Sequence, residues 1–123
     1  MAESKIILFV EDEEPTARAL GDLFQKRGIE LINAPDGAIG LEQLKIRRPS
    51  LVLLDLILPR MHGFEFLEKA KSDSELKAIP IIVLSNLSGD LNVTKAKNLG
   101  AADYLVKTDT NGDEIVNRVL GYL

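Results

Sequence analysis

Three short stretches of the chain are apolar at every position. They are Ile6, Ile7, Leu8, Phe9 and Val10; Leu51, Val52, Leu53 and Leu54; and Ile81, Ile82, Val83 and Leu84, opened by Pro80. Such unbroken runs predict strands buried on both faces. Leu31 with Ile32 predicts a weaker strand, and Tyr104, Leu105 and Val106 a last one. Helical spacing fills the gaps. Pro15 suits a first helical turn, and Ala17, Leu20, Leu23 and Phe24 form an apolar stripe that Gly28 would cap. Ala38, Leu41 and Leu44 mark a second helix, and Phe64, Leu67 and Ala70 a third, after a loop holding Pro59 and Gly63. Ser88 can cap a fourth helix that Gly100 closes. Asn111 followed by Glu114 has the spacing of a capping box, ahead of a helix lined by Val116, Val119, Leu120 and Leu123.

The result is five strand–helix units without a long linker or an internal repeat. Alternation of this kind predicts a parallel sheet covered by helices on both faces, and right-handed crossovers make it a doubly wound α/β sandwich. Periodicity does not reveal strand order, but 2-1-3-4-5 suits five strands. The chain reads as a single domain over residues 1–123, with no room for a separate output domain.

Composition narrows the function classes. At 46% apolar and 28% charged residues, the 123-residue chain can form a core and does not resemble a disordered segment. Its net charge of -4 argues against binding nucleic acid through a basic face. With no cysteine, disulfides and thiolate chemistry are excluded. The apolar run near the start is too short for a signal peptide or membrane span, so a cytoplasmic location and no membrane partner are expected.

In an open α/β sheet, ligands bind beyond the carboxyl ends of the strands. The residues leaving the strands are Glu11 and Asp12, Asp55, Ser85 and Lys107. Gathered at one edge, the carboxylates repel: at about 5 Å and an effective dielectric near 20, each ionised pair costs roughly 3 kcal/mol. A hard divalent cation such as Mg²⁺ relieves that cost and can bridge to phosphate. Asp55 could then act as a nucleophile toward phosphorus, with Lys107 and Ser85 contacting the transferred group. Singly, each residue has a plainer reading: an acidic helix start for Glu11 to Glu14, a turn carboxylate for Asp55, a cap for Ser85 and a surface lysine for Lys107. Their shared position carries the inference.

Four segments in order resemble the response-regulator receiver domains of two-component signalling: the first strand with Glu11 and Asp12; residues 53–64, with Pro59 four and Gly63 eight positions after Asp55; Pro80 to Ser85; and Gly100 to Lys107. The resemblance covers nearly the whole chain and implies a stand-alone receiver with the flavodoxin-like order. It implies that Asp55 is the phosphoacceptor. Mg²⁺ (or Mn²⁺) would be held by Asp12, Asp55 and the backbone carbonyl of Ile57, with Glu11 acting through water. Ser85, Lys107 and the backbone of Asn86 would contact the phosphoryl group, and Ser85 with Tyr104 would form the switch pair. The implied partners are a histidine kinase or histidine phosphotransfer protein and a downstream protein. The surface that changes would be the fourth helix, fifth strand and fifth helix, which could also pair two copies as a homodimer. The domain would not be an enzyme in its own right, though it would assist its own phosphotransfer and dephosphorylation.

Several positions depart from the family pattern. Glu11 stands for the commoner aspartate, Ser85 for threonine, Asn86 for alanine or glycine, and His62, read as an exposed loop residue, for aspartate. Thr108 replaces a proline that follows the lysine through a cis bond, and a cis bond before threonine costs several kcal/mol more. Ile57 and Leu87, two beyond the acceptor and the switch hydroxyl, are apolar, which predicts slow self-dephosphorylation. Two other readings remain open here: a receiver-like interaction module that never accepts phosphate, and a haloacid-dehalogenase-type phosphatase, which would want a second aspartate where Ile57 stands. A flavin module is weaker, since the loop after the first strand is acidic rather than rich in glycine and hydroxyls.

Overall fold

The computed structural model describes residues 5–123; the first four residues of the predicted domain lie outside that range. The elements alternate throughout: β1 (Lys5–Val10), α1 (Glu14–Gln25), β2 (Ile29–Ala34), α2 (Gly37–Arg47), β3 (Leu51–Leu54), α3 (Gly63–Ser72), β4 (Ile81–Ser85), α4 (Asp90–Asn98), β5 (Asp103–Val106) and α5 (Gly112–Leu120), with a 3₁₀ turn over Lys107–Asp109 before α5. All strand pairs are parallel, in the order β2-β1-β3-β4-β5. The expected doubly wound α/β sandwich is therefore the observed one.

The continuous apolar runs form the three inner strands because both faces of the sheet are covered. Leu8, Val10, Val52, Leu54 and Val83 point into one core layer with Phe66, Leu67 and Leu44. Ile7, Phe9, Leu51, Leu53 and Ile82 point into the other with Phe24, Val116 and Val119. Both layers meet at the middle strands, which fixes their carboxyl ends rigidly.

Some local expectations need correction. Ser88 does not cap α4: Gly89, at φ 101°, is the N-cap, no side chain bonds the first turn, and the Ser88 carbonyl accepts from Asn92 instead. Gly28 lies beyond the C-cap of α1, which is Lys26, and turns the chain at φ 75° into β2. Ala38 faces solvent; α2 buries Gly37, Gly40 and Leu44, because Met61 packs over Gly37, and Val10 and Phe66 over Gly40, leaving no space for a side chain. Leu123 lies past the end of α5 yet packs against the core, while Ile115 joins the buried stripe. The Asn111–Glu114 capping box and the Gly100 turn, at φ 110°, are present as expected.

Candidate functional site

Asp55 leaves β3 at the centre of the sheet, and its backbone is pinned before its side chain is considered. Its N–H bonds the Val10 carbonyl at 3.0 Å. Gly63, the first residue of α3, donates its N–H to the Leu56 carbonyl at 2.8 Å. A Cβ there would sit 2.6 Å from the Asp55 carbonyl oxygen, so only glycine allows α3 to start so close. Gly63 thus closes a loop whose end is set by close approach to the Asp55 and Leu56 backbone.

Both side-chain oxygens of Asp55 are engaged. Oδ1 accepts from Ser85 Oγ at 2.7 Å and from the Ile57 N–H at 3.1 Å; Oδ2 accepts from Lys107 Nζ at 2.9 Å. Lys107 also donates to Glu11 Oε1 and lies 3.8 Å from Glu13 Oε1. No peptide bond is cis among the described residues, and from the 3₁₀ turn the lysine still reaches both carboxylates. Asp12, which is exposed, completes an acidic group: one carboxylate oxygen from each of Glu11, Asp12 and Asp55 lies within 4.8 Å of the others. The donor set is all oxygen and anionic, which fits a hard divalent cation such as Mg²⁺ or Mn²⁺.

Burial sets the electrostatics. Glu11 is wholly buried, and that loss of water pushes its pKa up to about 7; Lys107 pulls it down and the Asp55 charge adds to the rise. For Lys107, burial works against the ammonium. Its hydrogen bonds and charge attraction to Glu11 and Asp55 outweigh that, and its pKa lies above that of a free lysine. Three carboxyl groups thus share one lysine at this edge of the sheet.

The remaining expected residues fall around this centre. Ser85 is fully buried, and its hydroxyl also accepts from the Leu87 N–H at 3.3 Å. Asn86 is exposed beside it, and the Ile57 side chain is 57% exposed. Tyr104 is half-buried against the core, its hydroxyl donating to the Leu87 carbonyl; burial, and secondarily Asp55, raise its pKa. His62 is exposed, but it also caps α3. Two contributors were not singled out from sequence. Glu13 donates its N–H to Glu11 Oε2 at 3.3 Å, and Asn33 Nδ2 donates to the Phe9 and Glu11 carbonyls, both at 3.0 Å. Glu13 lay within the acidic run; for Asn33, on an edge strand, only its contact across β1 reveals the role.

The response regulator receiver domain family matches residues 7–120, and the chain belongs to that family. It is thus a phosphoacceptor domain of two-component signalling. The transcriptional regulatory protein CseB of Streptomyces avermitilis is 31% identical over all 123 residues, and the chain spans about half (51%) of that relative's length. Among solved structures, chemotaxis protein CheY4 of Vibrio cholerae is 26% identical, with a TM-score of 0.90 over 98% of this chain and 100% of its own. The Mn²⁺-bound response regulator Rcp1 is 31% identical, with a TM-score of 0.81 over 95% of this chain and 90% of that one.

Proposed function

We propose that Asp55 is the residue that takes up the phosphoryl group, and that residues 1–123 act as one receiver unit. The observation that carries this is the set of contacts on one carboxylate. Asp55 is buried at the end of a central strand, holds Ser85 at 2.7 Å and Lys107 at 2.9 Å, and shares an acidic pocket with Glu11 and Asp12. A carboxylate oxygen attacks phosphorus, and the donor's P–N bond (phosphohistidine) or P–O bond (acetyl phosphate) breaks. The leaving group departs with the electron pair and is protonated from its surroundings. Ser85 and Lys107 then transfer their hydrogen bonds from the carboxylate to phosphoryl oxygens, so the donors needed for the product are already in position.

Asp12, Asp55 and the Ile57 carbonyl would hold Mg²⁺ or Mn²⁺, with Glu11 acting through water. When bound, the cation supplies positive charge that offsets the carboxylates and the phosphoryl oxygens. Ser85, the Asn86 backbone and Tyr104 report the change. Phosphorylation adds about -1.5 to -2 of charge, drawing the Ser85 hydroxyl inward and freeing Tyr104 to reposition against α4. The face formed by α4, β5 and α5 is the surface that downstream proteins, or a second copy, would read. The donor is a histidine kinase or phosphotransfer protein, in keeping with a cytoplasmic location; no helix among the described residues is long and apolar enough to cross a membrane. The domain assists its own transfer and hydrolysis rather than turning over external substrates.

Incubation with acetyl phosphate and Mg²⁺, read by intact mass, tests this. One added phosphoryl group, lost in Asp55→Asn, is the expected outcome. No adduct in the parent, or an undiminished one in Asp55→Asn, would overturn the assignment. Sustained turnover of unrelated phosphate esters would point to a phosphatase instead.

A further inference from the structure

The chain's single histidine does more than end a loop. His62 is the N-cap of α3, and its Nδ1 accepts the Phe64 N–H at 3.1 Å. An accepting Nδ1 carries no proton, so the neutral ring holds its proton on Nε2. The same ring stacks on Phe64, centroids 5.1 Å apart at 21°, and Lys95 of α4 sets its ammonium 4.6 Å from the Phe64 centroid. A chain of three side chains thus links the start of α3 to the middle of α4.

That link matters because α4 is otherwise thinly attached. Ala96 is its one buried residue, Leu91 is 88% exposed, and its first turn has no side-chain cap. We infer that His62, Phe64 and Lys95 form a proton-sensitive latch that holds α4 against α3 and loosens when His62 becomes charged. Protonation places a hydrogen on Nδ1, where it faces the Phe64 N–H instead of accepting from it. It also sets a cation at the positive end of α3, and two cations then compete for one aromatic ring. Asparagine or serine would cap with no proton to gain, whereas an imidazole can take one up on the nitrogen that does the capping. Two charged groups close to His62 in the chain have partners of their own. Glu65, in the first turn of α3, lies 3.9 Å from Lys69, and Arg60 lies 3.4 Å from Asp36 at the start of α2.

The latch needs no phosphoryl group, so it is tested on the unphosphorylated protein, without Mg²⁺. The His62 ring resonance is followed by NMR against pH, alongside amide exchange at Phe64, Lys95 and Ala96 corrected for intrinsic rates. Exchange at all three should quicken roughly five-fold, the equivalent of one lost cap, in step with the ring. His62→Asn should abolish the step throughout. Lys95→Gln should leave the Phe64 step and remove the one in α4, whose amides would already exchange quickly. Constant α4 exchange across the His62 titration would overturn the inference. So would a step that survives in His62→Asn, which would trace it to another group such as Glu11.

Discussion

Replacing Gly63 by alanine adds one methyl group, and the surroundings decide its sign. The new Cβ would lie 2.6 Å from the Asp55 carbonyl oxygen, 2.8 Å from Leu56 Cδ2 and nearer still to Leu56 Cα. Ordinary contact is about 3.5 Å or more, so the start of α3 must retreat by about 1 Å. Two of the obstructing atoms are backbone, and no rotamer relieves them. Overpacking of this kind costs about 1–3 kcal/mol. Stretching the bond from the Gly63 N–H to the Leu56 carbonyl adds about 1 kcal/mol, while alanine's better helix propensity returns at most about 1 kcal/mol. The expected net loss is about 1–4 kcal/mol, read as a lower urea midpoint by far-UV circular dichroism at unchanged slope. Gly21→Ala, the same chemical change within α1, meets only Leu31 atoms at 4.0 Å and should stabilise by about 0.5–1 kcal/mol. The retreat of α3 also disturbs the Asp55 backbone, so Gly63→Ala should slow phosphorylation by acetyl phosphate where Gly21→Ala does not. A Gly63→Ala protein within about 0.5 kcal/mol of the parent would refute the close-approach reasoning.

Because Glu11 binds its proton more tightly folded than unfolded, its contribution to stability is fully present below the ordinary carboxylate pKa of 4.5. It is lost as pH rises through about 7, and Glu11→Gln should flatten that decline in denaturant titrations. The same proton competes with a divalent cation, so Mg²⁺ affinity measured by calorimetry should rise through pH of about 7 in the parent and less so in Glu11→Gln; equal pH dependence in both would show that Glu11 is not the competing group. The exposed Ile57 side chain offers no hydrogen bond to an attacking water, so the phosphorylated parent should decay slowly and Ile57→Asn roughly tenfold faster, one well-placed hydrogen bond's worth; identical decay of the two, followed by intact mass, would remove that role.

The inner strands were legible because residues such as Leu53 and Val83 are buried on both sides, so their runs contain no polar interruption. β2 was only faintly visible: it is an edge strand, with exposed Glu30 and Asn33 on either side of half-buried Leu31 and Ile32. Helix faces were read from side chains alone, which found Leu41 and Leu44 of α2 but put Ala38 inward where Gly37 and Gly40 are buried instead, their space taken by Met61, Val10 and Phe66. The site was legible as a set of strand ends, since topology alone brings Glu11, Asp55, Ser85 and Lys107 to one edge. The Lys107 contacts despite Thr108, the bracing by Asn33 and the stack on Phe64 were not, because each depends on side chains meeting from distant segments.

The bond between Lys107 and Glu11 joins residues 96 positions apart. During synthesis the acidic strand end emerges early, yet its counter-ion arrives only with the fifth strand, which must dock beside the fourth to aim it. A chain interrupted before that point would leave Glu11 without its basic partner and without the completed sheet that buries it. Chemical readiness therefore coincides with completion of the sheet, and a half-made molecule cannot answer a phosphodonor as the finished one does.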